Sequence, residues 1–129
     1  MARILVVDDD ELMRDLMRLV LDAEQHVVEV VDSGEKGLEW LRRTPFDLMI
    51  SDMALPGMDG LEVIQEVRKT YPEMKVVAIT GWGDRAEQEL FPLVRAMGVE
   101  YTFSKPFMIQ EFLQGIAELL GTTSRVFVE

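Results

Sequence analysis

Five residues at the ends of apolar runs carry the chemistry of this sequence. Asp8 and Asp9 follow Ile4-Leu5-Val6-Val7, and Asp52 follows Leu48-Met49-Ile50-Ser51. Thr80 closes the run at residues 76–79, and Lys105 follows Tyr101-Thr102-Phe103-Ser104. Carboxylates in close quarters repel one another and stay ionised only with a cation among them. A hard divalent ion held by carboxylates, backbone oxygen and water is a magnesium-type site. An ammonium and a hydroxyl beside it would stabilise charge on the equatorial oxygens of a phosphoryl group in transfer. A carboxylate such as Asp52 can act as the nucleophile and form an acyl phosphate. Each residue also has a plainer reading. Asp8, Asp9 and Asp10 can cap the first helix, Asp52 can be a turn residue, and Thr80 and Lys105 can be solvated. Joint placement favours the chemical reading, because four separate run ends supply one coherent set.

The elements that must position these groups alternate along the chain. Ile4-Leu5-Val6-Val7 is continuous and apolar and suits a strand buried on both faces. Leu12, Leu16, Leu19 and Val20 recur at helical spacing, with Met13, Met17 and Leu21 widening the stripe. Further strands are expected at residues 27–31, 48–50, 76–79 and 101–104. Ser33 can cap a second helix carrying Leu38, Trp40 and Leu41. Leu55-Pro56-Gly57-Met58-Asp59-Gly60 is loop chemistry, and Leu61, Ile64 and Val67 mark the helix after it. A helix is expected around residues 86–97, and a last one presents Ile109, Phe112, Leu113, Ile116, Leu119 and Leu120 on one face before Gly121. Strands alternating with helices point to an α/β fold with a parallel sheet, whose functional crevice lies at the carboxyl ends of the strands. If the strand order is 2-1-3-4-5, Asp8, Asp9, Asp52, Thr80 and Lys105 converge, and Asp32 stands apart on the outer strand.

Composition narrows the classes of function. The chain has 129 residues, one domain's worth, and 48% are hydrophobic, enough for a core. Twenty-four acidic against 13 basic residues leave a formal charge of −11, which disfavours direct nucleic-acid or membrane binding. The absence of cysteine excludes disulfides, Cys-ligated zinc and a Cys nucleophile. The lone histidine, His26, is expected to be solvated. No apolar run approaches the roughly 18 residues of a membrane span, and no signal-peptide pattern is visible. A cytoplasmic protein is the expectation.

At this point the sequence resembles the receiver domain of two-component response regulators. Ile4-Leu5-Val6-Val7-Asp8-Asp9-Asp10 is similar to the family's first strand and acidic pair. The segment from Asp47 to Gly60 is similar to that around its phospho-acceptor, with Pro56 four residues and Gly60 eight residues after Asp52. Thr80-Gly81 matches the switch hydroxyl and the small residue after it, and Ser104-Lys105-Pro106-Phe107 the lysine and a proline that often follows a cis bond. The resemblance implies a flavodoxin-like, doubly wound, five-stranded parallel sheet of order 2-1-3-4-5 with five helices. It places the receiver domain at residues 1–121 and leaves a tail at 122–129. It further implies that Asp52 accepts a phosphoryl group from a histidine kinase or a histidine phosphotransfer protein. Asp8 and Asp9 would help hold Mg2+ or Mn2+, with Asp9, Asp52 and the Met53 carbonyl as direct ligands. Thr80 and Lys105 would bind the phosphoryl oxygens. Inward movement of Thr80 would reshape the surface of helix 4, strand 5 and helix 5 for a downstream protein, with homodimerisation open. Such a protein is a switch rather than an enzyme, apart from self-phosphorylation by small donors and self-dephosphorylation.

Departures from the family pattern are as informative. The aromatic expected three residues before the lysine is replaced by Thr102, and strand alternation puts Tyr101 and Phe103 on the opposite face unless strand 5 carries a bulge. The segment after Thr80 is longer than usual and contains Pro92. Either a helix kinks there, or a short turn, for which Asp84 and Glu87 have capping-box-like spacing, precedes a helix that starts near Pro92; the second reading is preferred. Ala54 and Trp82 occupy positions that in the family influence how fast water attacks the acyl phosphate, and an apolar pair should make that attack slow. Trp82 can equally be an exposed loop aromatic or a partner anchor.

Rival functions come from other classes. Asp8-Asp9-Asp10 also resembles the Asp-x-Asp of haloacid-dehalogenase-type phosphatases, with Asp8 as nucleophile and Asp10 as acid/base, but position 12 is Leu and the Asp52 segment goes unused. A pseudo-receiver that binds partners without phosphorylation is the other alternative. No glycine-rich nucleotide-binding loop follows the first strand. The chain reads as a single-domain regulator or as a receiver cut from a longer protein, and its tail contains the apolar triplet Val126-Phe127-Val128.

Overall fold

A computed structural model of the chain describes residues 2–55, 57–81 and 91–121. The element order is β1 (Arg3–Val7), α1 (Glu11–Ala23), β2 (Val27–Val31), α2 (Gly34–Arg43), β3 (Leu48–Asp52), α3 (Gly60–Thr70), β4 (Lys75–Thr80), α4 (Phe91–Ala96), β5 (Tyr101–Ser104) and α5 (Ile109–Leu120). The strands form one parallel sheet of order β2-β1-β3-β4-β5, the flavodoxin-like arrangement expected.

Continuous apolar strands are what a sheet covered on both faces requires. Ile4, Val6, Leu48, Ile50, Val77 and Ile79 point to one face and pack with Met17 and Leu21 of α1 and Phe112 and Ile116 of α5. Leu5, Val7, Met49, Val76 and Ala78 point to the other and pack with Leu41 of α2, Val63, Ile64 and Val67 of α3 and Val94 of α4.

The helices start where their caps dictate. Asp10, Ser33 and Asp59 accept the backbone N–H groups of Leu12, Lys36 and Glu62. Gly121 ends α5 in the left-handed conformation at φ 68°. Gly60 is demanded by a close approach: a Cβ there would lie 2.5 Å from both the Asp52 carbonyl oxygen and Met53 Cα. Only glycine lets α3 begin against the end of β3.

Three expectations are corrected or bounded. In α1 the core seam is Met13, Met17, Val20 and Leu21, whereas Leu12 and Leu19 are 78% and 69% exposed. The helix turns about 100° per residue, so Leu12 and Leu19, seven residues apart, share a ridge that this seam leaves in solvent. His26 is half-buried rather than solvated: its Nδ1 accepts the Ala2 N–H at 3.1 Å, and burial, then the N-terminal charge, pushes its pKa below the usual value. Pro92 lies in the first turn of α4, where a missing N–H breaks no helical bond. Pro56, Trp82, Asp84, Glu87 and the tail at 122–129 lie outside the described residues, so the capping box and the tail are not placed. Among the described residues, no helix is long and apolar enough to cross a membrane.

Candidate functional site

Strand order decides which strand ends meet. With β1 beside β3, β3 beside β4 and β4 beside β5, the ends bearing Asp8, Asp52, Thr80 and Lys105 form one edge. Asp8 and Asp52 are 1% and 5% exposed, Thr80 is fully buried, and Asp9 stands exposed at the rim. One carboxylate oxygen from each of Asp8, Asp9 and Asp52 lies within 4.8 Å of the others. Asp32, on the outer strand, is not part of this group; it pairs with Lys36 at 2.9 Å on the surface.

Lys105 joins the two buried carboxylates. Its Nζ donates to Asp52 Oδ2 at 2.8 Å and to Asp8 Oδ2 at 3.2 Å. The other oxygens are held by the backbone: Asp52 Oδ1 accepts the Ala54 N–H at 2.8 Å, and Asp8 Oδ1 accepts the Asp10 N–H at 2.9 Å. The Met53 carbonyl accepts the Gly60 N–H at 3.1 Å and keeps a second lone pair. Thr80 Oγ1 lies 3.4 Å from the Phe103 carbonyl and 3.3 Å from Ser104 Oγ, and the Thr80 carbonyl accepts the Lys105 N–H. The Lys105–Pro106 peptide is cis, as the resemblance implies.

The electrostatics are those of a site with too much negative charge. Burial raises the Asp8 pKa, and the Asp52 charge adds to that against the Asp10 N–H and Lys105. Burial alone would lower Lys105, but the hydrogen bond and charge of Asp52, then the Asp8 charge, hold its ammonium above the usual value. A carboxyl with a raised folded pKa favours the fold below its unfolded value and loses that contribution as pH rises through the folded one. Without divalent cation, Asp8 therefore makes the fold less stable with rising pH, beginning near its ordinary value of 3.8. Asp8→Asn keeps the acceptor for Asp10 and removes the excess charge. It is expected to raise neutral-pH stability by about 0.5–2 kcal/mol. Thermal melts in EDTA check this, and a melt at or below the wild-type temperature would contradict it.

Asp8, Asp9, Asp52, Thr80 and Lys105, the residues expected to converge, all stand at the carboxyl edge. Asp10 is a helix cap, with its carboxylate on the Leu12 N–H at 3.1 Å. Ala54 is exposed and contributes its backbone N–H. β5 pairs with β4 without a bulge, so Thr102 opposes Ala78 while Tyr101 and Phe103 stack at 6.1 Å on the α1–α5 face. Ser104 and Arg14 also stand at this edge, with no sequence signal for their contacts. Arg14 donates to the Asp8 carbonyl at 2.9 Å, a contact to backbone that residue type cannot announce. A groove of about 910 Å3 at the opposite, amino edge, lined by Leu41, Phe46, Tyr71, Met74 and Leu120, holds none of the acidic set.

A family model described as the response regulator receiver domain matches residues 4–117. The chain belongs to the response regulator receiver domain family. The receiver sequence is 32% identical over 93% of its length to the response regulator receiver protein CpdR of Brucella abortus, covering 98% of that protein. It is 35% identical over 90% of its length to the response regulator protein FleR of Pseudomonas aeruginosa, but spans only 24% of that longer relative. Among solved structures, the receiver superposes with a TM-score of 0.81 and 29% identity on the response regulator TrrA of Thermotoga maritima in complex with Mg(2+)-BeF, covering 92% of this chain and 99% of that one.

Proposed function

We propose that this receiver domain is a phosphorylation-dependent switch in which Asp52 accepts a phosphoryl group from a histidine of a kinase or phosphotransfer protein. The observation that carries the reading is the placement of Lys105 Nζ between Asp52 and Asp8, with the Asp9 carboxylate at the same edge. An Asp52 oxygen attacks phosphorus as the P–N bond to the donor imidazole breaks, and the imidazole leaves with the bonding pair and takes up a proton. The Ala54 N–H fixes one Asp52 oxygen and so orients the carboxylate. Lys105 then serves the phosphoryl oxygens, and the Thr80 hydroxyl turns towards them.

The donor set fits a divalent cation. All its side-chain donors are carboxylates, three oxygens lie within 4.8 Å, and one of the carboxylates is pushed towards neutrality by burial and a like charge. Asp9, Asp52 and the Met53 carbonyl would hold Mg2+ or Mn2+, with Asp8 beside them. The ion supplies charge neutralisation to the phosphoryl oxygens when bound.

Output passes through protein contacts on α4, β5 and α5, with Thr102 at the usual aromatic position leaving the movement of Thr80 to be read by other groups. The acidic charge of −11 supports a protein partner rather than nucleic acid. The domain comprises residues 1–121, and the protein acts in the cytoplasm. Of the rival readings, the phosphatase needs Asp10 as acid/base, while its carboxylate caps α1.

The direct test is incubation with a small-molecule phosphodonor, with and without Mg2+, read as a mass increase of one phosphoryl group. Metal-dependent label supports the switch. Absence of label on the folded protein favours a receiver that works unphosphorylated. Neither Ala54 nor Trp82 has a carboxylate or amide side chain with which to orient an attacking water, so the acyl phosphate should be long-lived. Trp82→Glu is expected to shorten its half-life several-fold, and an unchanged decay rate would exclude Trp82 from that role.

A further inference from the structure

Thr80 is fully buried at the end of β4, and among the described residues both partners of its hydroxyl come from β5. One hydroxyl can satisfy both at once: Thr80 donates to the Phe103 carbonyl at 3.4 Å and accepts from Ser104 Oγ at 3.3 Å. Both distances are long for O–H···O bonds, whose usual separation is about 2.7–2.8 Å, so each is weak and easily exchanged. The pairing is held in place by the backbone, since Thr80 and Ser104 are register partners and the Lys105 N–H donates to the Thr80 carbonyl. Ser104 itself is half-buried and adjoins Lys105, yet its hydroxyl touches neither Asp8 nor Asp52 in the described contacts.

We infer that Ser104 is a positioning residue that tethers the Thr80 hydroxyl towards β5 and so sets the resting balance of the switch. The inference rests on the phosphoryl-accepting reading above. The single Thr80 hydroxyl hydrogen cannot serve the Phe103 carbonyl and a phosphoryl oxygen at once, and an Oγ1 that moves towards a phosphoryl group leaves Ser104 Oγ behind. The apparent affinity for a phosphoryl group scales with the fraction of molecules in which Thr80 is free of β5. Removing the Ser104 hydroxyl withdraws one of the two bonds and raises the competent fraction. Because the bond is weak, the gain is modest, about two- to fivefold.

The test uses the full chain, Mg2+ and beryllofluoride as the phosphoryl probe, with affinity measured by titration calorimetry or tryptophan fluorescence. Ser104→Ala is expected to bind about two- to fivefold more tightly than wild type. Ser104→Thr, which keeps the hydroxyl, should return to the wild-type value. In a Thr80→Ala background, Ser104→Ala should change nothing, because the group it acts through is gone. A merely structural effect of Ser104 would persist in that background, and its persistence would overturn the proposal. So would equal affinities of Ser104→Ala and wild type. If wild type itself binds no beryllofluoride with Mg2+, the phosphoryl-accepting reading fails first and takes this inference with it.

Discussion

Asp52→Asn is expected to abolish phosphoryl labelling while leaving the fold intact. The amide keeps an oxygen for the Ala54 N–H and keeps the size of a nearly buried side chain, so packing at the end of β3 changes little. It removes the negative oxygen that Lys105 holds at 2.8 Å and with it the nucleophile. An amide oxygen is too weak a nucleophile to form an acyl phosphate, so the loss should exceed about a hundredfold, the lower range of what a positioned catalytic group contributes. Lys105 still has Asp8 at 3.2 Å and is not left as an unpaired buried charge. A phosphate-affinity gel on wild type and variant, each with and without Mg2+, gives the answer. Label surviving in Asp52→Asn would move the nucleophile to Asp8 and revive the phosphatase reading.

The second large effect lies far from the carboxyl edge. Arg68 of α3 spends all five of its N–H donors: Nε on the Met97 carbonyl at 2.8 Å, one terminal nitrogen on Pro72 and Met74 carbonyls at 3.2 and 2.5 Å, the other on Gly98 carbonyl at 2.7 Å and Glu100 at 3.2 Å. Met97 and Gly98 follow α4 directly, and Gly98 turns the chain into β5 at φ 84°. One guanidinium thus ties the end of α4, the start of β5 and the α3–β4 turn to α3. Arg68→Ala strips charged donors from four carbonyls and is expected to destabilise the fold by about 2–4 kcal/mol. That corresponds to a Tm lower by roughly 10 °C. Arg68→Lys should recover only part of it, because an ammonium has three donors and cannot span this fan. Chemical denaturation measures both variants. A loss below about 0.5 kcal/mol, the size of an ordinary surface change, would show that water replaces the fan at little expense.

These two residues mark the limits of what the sequence reveals. Asp52 is legible because a strand buried on both faces is an uninterrupted apolar run, and a carboxylate at its end stands out. The same holds for Asp8, Thr80 and Lys105, so the strands and the candidate residues at their ends could be read from the runs, and the strand order that groups them came from the family resemblance. Arg68 carries no such mark. Its partners lie 29, 30 and 32 residues ahead for the α4–β5 segment, and most are carbonyls, which every residue type possesses.

Periodicity, likewise, gives α1 its helix but not its phase. Leu12 and Leu19 fit the apolar stripe as well as Met13 and Met17 do, and packing against Ile4, Val6 and α5 selects the methionine seam. By itself, then, the sequence determined the α/β alternation, the strand order expected of its family and the acidic, lysine and hydroxyl set at the carboxyl edge. Tertiary structure alone decided that Lys105 bridges Asp52 and Asp8, that Ser104 meets Thr80 and that Arg68 anchors α4. The physical reason is common to all three. Local spacing encodes which face of an element is apolar, whereas the partner of a polar group is chosen by long-range register, and that exists only once the strands lie side by side.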